Sequence, residues 1–439
     1  MRNLLLVSAA ACIAMGGWVS VANAEVTITV PTGWEGLLDP AFSQFEKETG
    51  EKVVSIVVPK DIDQRLVVDF AGGAASDVVV YDSYRTSEYT ESGYLADLTA
   101  YAEAWADWPS YFGSLKEIST IDGSVRGIPN YTDVRMLWYN REIFEKAGIE
   151  QPWKPASWND ILDAAEKIKA ATPEVEYPFY FPVGTKMGEA TTMQGFYMAL
   201  LGADSGEGGR NRLRDWSEGK WIGDSPAIRK VLGLYQDVFV NRPVSARELY
   251  YTPDVWGDMR RAFVEGNIGI MAGGSWEYRG VWRAVGTEKP IEEATAFMAW
   301  TPFPGDGSEG APAFSNISGG WNFGVSEQST KKDLAWKLIQ TILDGPRYAA
   351  WVAEQGRVAV RRDALEAPEY KADAYLTSLS PLLENTTGRD TFPGYSSVSA
   401  FIQEATAAVI DGQSVDAVVA TYRENLEDEF GADQVKVIE

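Results

Sequence analysis

Apolar and polar positions alternate from Val26 to Val30, and Leu38 to Thr49 follows with Phe42 and Phe45 at helical spacing before Gly50. This order predicts a strand and then a helix, with Val53 to Val58 as a second strand. Asp77-Val78-Val79-Val80-Tyr81 is a short, nearly unbroken apolar run rich in β-branched side chains. That is the pattern of a strand buried on both faces in a parallel sheet, and it ends at Asp82. Farther along, Ser157 with Asp160 three residues later predicts a capped helix through Ile168, and Thr330 with Asp333 repeats the spacing ahead of Leu334 to Ile342. The glycine-rich tract from Leu201 to Pro226 predicts an irregular excursion. Strand and helix signals in alternation give an α/β chain.

In open α/β sheets, ligand groups sit beyond the carboxyl ends of the strands, which places Asp82, Tyr84 and Arg85 where a cleft is expected. Asp82 also fits an ordinary helix cap. Three indoles stand beside glycine in breaks between apolar segments: Gly33-Trp34, Gly274-Ser275-Trp276 and Gly319-Gly320-Trp321. A tryptophan held in a glycine turn can show its ring face to a cleft, whereas one inside a continuous apolar run packs the core.

The start of the chain changes the picture of where the protein works. Met1-Arg2-Asn3 is a short positive segment, Leu4 to Val21 is apolar and small, and Ala22-Asn23-Ala24 has the form a signal peptidase cuts. Residues 1–24 therefore read as an export signal. Lipidation at Cys12, the only cysteine, is the competing reading, and Ala9-Ala10-Ala11 ahead of it lacks a bulky residue. Cleavage leaves about 415 residues without a thiol, too many for one compact unit, and stability must come from large cores in two domains. The formal charge of −24 argues against nucleic acid or an anionic membrane as partner.

The chain holds 16 Trp, 20 Tyr and 17 Phe but no His. The missing histidine removes His-metal sites and the usual triad base, and no phosphate-cradling or paired metal-ligand motif is present. Neither a metal nor an organic cofactor is expected. Aromatic abundance favours a carbohydrate-binding surface. A secreted carbohydrate-active hydrolase or lyase with a carboxylate pair is the alternative, since 63 acidic residues make chance pairs abundant and none stands out by spacing.

Read together, GGAASDVVVYD at 72–82, SGYLADLT at 92–99, DGSVRGIPNYTDVRMLWYNREIFEKAGI at 122–149, SWNDILDAAEKI at 157–168, FVEGNIGIMAGGSW at 263–276 and GGWNFGVSEQSTKKDLAWKLI at 319–339 carry a resemblance. The chain resembles the extracellular solute-binding proteins of ABC sugar importers, the family that includes maltose-binding protein. The resemblance implies the α/β, two-lobed periplasmic binding protein fold with three interlobe crossings. Lobe 1 would comprise 25–132 and 301–355, and lobe 2 would comprise 133–300 and 356–439. It also implies a periplasmic monomer that captures a sugar, sugar derivative or polyol and delivers it to ABC importer permease subunits.

Site roles follow by position. Trp276 is the leading ring-stacking candidate, with Gly274 and Ser275 beside it, and Trp34 covers the other side of the sugar. Asp82 accepts from adjacent hydroxyls, as an acidic residue after this strand commonly does in the family. Asn130, Tyr131 and Asp133 lie at a crossing and touch the ligand or pack the hinge. Gly319 and Gly320 bring backbone donors near, with Trp321 either in the site or packed beneath. Lys186 and Glu189 fall where relatives place second-lobe contacts. Arg357 binds a hydroxyl pair or an anionic substituent, or pairs with one of the abundant carboxylates.

Overall fold

The alternating segment Val26–Pro31 forms β1, followed by Glu35–Thr49 (α1), Val53–Val58 (β2), Ile62–Ala71 (α2) and Val78–Asp82 (β3). This is a computed structural model that describes residues 25–59, 61–203, 212–390 and 392–439, so residues 1–24, on which the export-signal and Cys12 expectations rest, lie outside the described residues. Ile128–Tyr131 (β4), Arg135–Asn140 (β5), Trp158–Ala171 (α3), Tyr177–Tyr180 (β6), Pro226–Gln236 (α4) and Val255–Val264 (α5) come next. Ile268–Gly274 (β7), Glu277–Val285 (α6), Met298–Thr301 (β8), Trp321–Val325 (β9), Lys332–Ile342 (α7), Gly345–Gln355 (α8), Tyr395–Ile410 (α9) and Val415–Phe430 (α10) complete the framework. Among the described residues, no helix is long and apolar enough to cross a membrane.

Two sheets organise the molecule. The first has the order β2-β1-β3-β9-β4, and the second β8-β5-β7-β6. β1 runs parallel to β2, pairing Val26 with Val53 through Pro31 with Val58, and parallel to β3. Parallel neighbours need a crossover, which α1 and α2 supply. β9 enters antiparallel between β3 and β4, and in the second sheet β5 lies antiparallel to both β7 and β8 while β6 is parallel to β7. The first sheet thus takes strands from 26–131 and again from 321–325, whereas the second is built wholly within 135–301.

Val78, Val79 and Val80 are fully buried, as the unbroken run in β3 predicts for a strand covered on both faces. α1 packs on α7 and α8, while α4, α9 and α10 pack together on the other half. The chain passes from one sheet to the other at 132–134 and returns over 302–320. After α8 a third connection starts at Gly356, whose φ of +61° closes the helix in the left-handed region. It runs beside the first connection, since Thr132 N–H donates to the Val358 carbonyl at 2.9 Å.

Two local expectations differ from the structure. Ser157 and Asp160 form the reciprocal capping box of α3, but α7 starts at Lys332 with no side-chain cap. Asp333 there accepts from the Tyr101 hydroxyl, so a tertiary partner 232 residues away outcompetes the local cap. The tract 201–226, read as irregular, contains Arg214–Asp215 and Lys220–Asp224 in an antiparallel pair around Gly219, whose φ is +68°. Val435–Val437 joins it as a parallel third strand, a partner from the far end of the chain that local composition cannot reveal.

Candidate functional site

The ends of both sheets meet at one cavity of about 320 Å³. Asp82 ends β3, Tyr131 ends β4 and Trp321 starts the antiparallel β9, so all three lie at the carboxyl edge of the first sheet. Arg135 starts β5 and Gly274 ends the antiparallel β7, which puts Ser275 and Trp276 at the matching edge of the second. Ligand clefts form at this edge in α/β sheets because the backbone there fans into loops. Asp82, Tyr131, Ser275, Trp276, Gly320, Trp321 and Arg357 all line the cavity, together with Asp133.

The glycines make this possible in three places. A β-carbon at Gly274 would sit 2.0 Å from Cζ3 of Trp276, so the indole folds back over its own glycine. One at Gly320, where φ is +110°, would lie 2.2 Å from the Tyr131 carbonyl oxygen, so β9 and β4 close up only without a side chain. At Gly319 a β-carbon would press on Arg389, Asp133 and Gln194, so this residue packs behind the wall.

Trp276 is partly exposed, and its Nε1 donates to Glu277 at 2.5 Å. The Arg135 guanidinium lies 4.0 Å over the ring, so one face is covered by a cation. Arg135 itself is buried; its Nε is 3.5 Å from Asp133, and it donates to the Gln194 side chain. Burial presses its guanidinium down from the ordinary range, while Asp133 opposes and Arg389 adds to the effect.

Asp82 stands against Arg389, whose Nη2 is 3.1 Å away, while Nη1 of the same guanidinium reaches Glu189 at 2.6 Å. Tyr395 and Ser399 donate to Glu189 from α9. Arg389 is buried, so this carboxylate–guanidinium–carboxylate chain ties the first sheet to the helices of the second half. Burial pushes the Asp82 carboxyl up to about 7, with Arg389 pulling it down and Asp63 and Glu189 adding to the rise. Asp82 also accepts from the Tyr84 N–H at 3.3 Å, so it serves as a cap and as a cavity group together.

Other expected residues fall elsewhere. Trp34 is a correction in placement: the ring is 1% exposed and packs on Trp351 at 5.2 Å, Phe323 at 5.7 Å and Tyr131 at 6.0 Å, because aromatic side chains from three other elements surround its turn. Asn130 is fully buried at the bulge where β9 skips from Tyr131 to Pro129, and its side chain makes no hydrogen bond among the described residues. Lys186 is exposed and away from the cavity lining. Glu189 does not line the cavity and is linked to it by Arg389, which bridges Glu189 and the lining residue Asp82.

The cavity also contains residues that sequence reasoning missed: Arg135, Gln194, Trp256, Arg279, Arg283 and Gln355. A usable signal existed for some of them. Arg135 interrupts the apolar run of β5, and Arg279 and Arg283 lie one turn apart just after the Gly-Ser-Trp segment. A larger cavity, about 730 Å³, is lined by Ser87, Glu117, Ile118, Arg212, Trp216 and Phe392 among others. Its lining includes Arg389 but none of the expected binding residues, so volume alone does not mark the site.

Comparison with known proteins follows the same lines. The bacterial extracellular solute-binding protein profile matches residues 30–344. The chain is 23% identical over 368 residues to a putative binding protein of Brucella abortus, covering 81% of this chain and 80% of that one. It is 25% identical to the diacetylchitobiose binding protein of Streptomyces coelicolor over 80% of this chain and 75% of the relative. An ABC transporter solute binding protein of Thermotoga lettingae, solved with α-D-tagatose, superposes with a TM-score of 0.76 at 24% identity, over 92% of this chain and 99% of that one.

Proposed function

This chain belongs to the bacterial extracellular solute-binding proteins, and on that footing we propose that it is the periplasmic capture component of an ABC importer for a sugar, sugar derivative or polyol. The observation that carries the reading is the cavity itself: indoles of Trp276, Trp256 and Trp321 line it together with Asp82, Asp133 and Gln194. A pyranose has an apolar face of C–H groups and a rim of hydroxyls. Indole covers the first, and carboxylates and amides match the second.

Trp276, which lines the cavity and is partly exposed, packs its indole on the sugar ring, and Asp82 accepts from neighbouring hydroxyls. Covering roughly 60–100 Å² of apolar surface contributes about 1.5–2.5 kcal/mol, so hydrogen bonds must supply selectivity. Residues 25–132 with 301–355 form one lobe and 133–300 with 356–439 the other, and they close on the ligand through φ/ψ changes at the three short connections. The leader is removed after Ala24, and the mature protein is a monomer that presents its closed form to permease subunits. It binds without turnover. The diacetylchitobiose binding relative supports a saccharide as the solute class.

Thermal shift across a panel of sugars and polyols, followed by calorimetry on the hits, tests this reading. A ligand that binds the native state raises Tm. Stoichiometric binding with unchanged ligand is expected, whereas cleaved product after incubation would overturn it in favour of a hydrolase or lyase.

A further inference from the structure

Resting on the saccharide reading above, we infer that the bound sugar carries an oxyanion, a carboxylate, sulfate or phosphate, and that Arg279, Arg283 and Arg357 receive it. The whole chain has a formal charge of −24, yet the cavity lining contains four arginines against Asp82 and Asp133. Positive charge gathered in an acidic protein must be balanced by partners, and here the partners run out.

Arg135 has Asp133 and Gln194. Arg279 and Arg283 lie one turn apart on α6, and the Arg279 guanidinium rests on Gly356, where a β-carbon would come within 1.7 Å of Nε. Arg357 is the next residue, so the three guanidinium groups share one wall. Arg279 is 3.6 Å from Asp373 and donates to the Ala353 carbonyl at 3.2 Å. Among the described residues, neither Arg283 nor Arg357 forms an ion pair. Arg357 is instead held by the faces of Tyr131 at 3.9 Å and Trp351 at 5.1 Å.

A ring face attracts the guanidinium but does not neutralise it. The Nε atoms of Arg279 and Arg357 are buried without a hydrogen-bond partner. Nearby carboxylates are committed: Glu277 to Arg260 at 2.7 Å and Asp82 to Arg389. After burial, the charges of Arg279, Arg260 and Arg357 hold the Arg283 guanidinium below its ordinary range, a mark of like charges crowded together. A neutral sugar would accept hydrogen bonds here and leave the repulsion in place. An oxyanion accepts hydrogen bonds and relieves the repulsion together, because the guanidinium fork presents paired N–H donors to carboxylate, sulfate or phosphate oxygens.

Calorimetry on the full chain with matched pairs tests the inference: glucuronate against glucose, galacturonate against galactose, and N-acetylglucosamine 6-sulfate and glucose 6-phosphate against their neutral parents. An anionic member should bind at least about tenfold more tightly than its neutral partner, with an advantage that shrinks as salt rises. The arm that binds best identifies the oxyanion. Arg357→Gln should weaken binding of the anionic member by about tenfold and of its neutral parent by clearly less, because both lose a donor but only the anion loses a charge partner. Should Arg357→Gln fail to fold, the exposed Arg283→Gln gives the same readout. Neutral members binding as tightly as their anionic partners would overturn the inference and leave the saccharide reading standing. Lactate and benzoate are titrated beside the panel, and their binding without any sugar would overturn the saccharide reading and this inference with it. No binding across the panel overturns both.

Discussion

Trp34 and Trp276 occupy equivalent local positions in the two halves of the molecule and have opposite surroundings. Each follows a glycine-containing break after a strand, β1 or β7, and each is the residue at which the next helix, α1 or α6, begins. The Trp34 carbonyl accepts from Leu37 and Leu38, and the Trp276 carbonyl accepts from Gly280. Even a cation stands near both rings, Arg357 at 5.7 Å from Trp34 and Arg135 at 4.0 Å from Trp276. Trp34 is nevertheless sealed by Trp351, Phe323 and Tyr131, while Trp276 lines the cavity. The difference teaches that a strand–glycine–tryptophan–helix unit fixes where an indole starts, and distant elements fix whether it serves packing or contact.

The largest effect expected from this contrast is on stability. Trp34→Ala should cost about 3–5 kcal/mol, because it empties a packed aromatic cluster, and a denaturant titration measures it. A cost under about 1 kcal/mol would mean that the ring is not anchoring the first half. Trp276→Ala should do the reverse, lowering affinity for the best sugar by about 1.5–2.5 kcal/mol while Tm stays nearly constant. Unchanged affinity by calorimetry would break the contrast.

Gly274→Ala sharpens it with a smaller perturbation. The new methyl group meets the indole at 2.0 Å, so the ring must shift, and affinity should fall roughly fivefold, about 1 kcal/mol. The remaining test concerns pH. Burial places the Asp82 carboxyl at about 7, above an unfolded value of about 3.9, so the folded state binds the extra proton between these limits. Stability from this group therefore declines as pH rises from about 4 to about 7. Arg389, Asp63, Glu189 and Tyr84 face the carboxyl and set the size of the change. The Tm difference between Asp82→Asn and the parent should shift in the variant's favour across that window, and a flat difference would remove Asp82 as a titrating group.

Much of the framework was legible in the residues. Alternation at Val26–Val30, the unbroken Val78–Val80 run and the Ser157–Asp160 cap each correspond to an observed element. Asp82, Tyr131, Ser275, Trp276, Gly320, Trp321 and Arg357 converge on one cavity, largely because strand ends and glycine breaks are local features with a predictable place in an α/β sheet. The misplacements share a cause. Asp333 turned to Tyr101, Trp34 turned to Trp351, and Glu189 turned to Arg389, and every partner lies 200 or more residues away.

By itself the sequence determined the α/β alternation, the exclusion of histidine chemistry and the set of indoles and acids available to a cleft. Those follow from backbone preference, side-chain period and composition, which act over a few residues or need only be counted. The tertiary structure alone decided which indole faces the cavity and which arginines lack a carboxylate. Both depend on what the other half of the chain brings within a few ångströms, and desolvation then makes each present or absent partner matter.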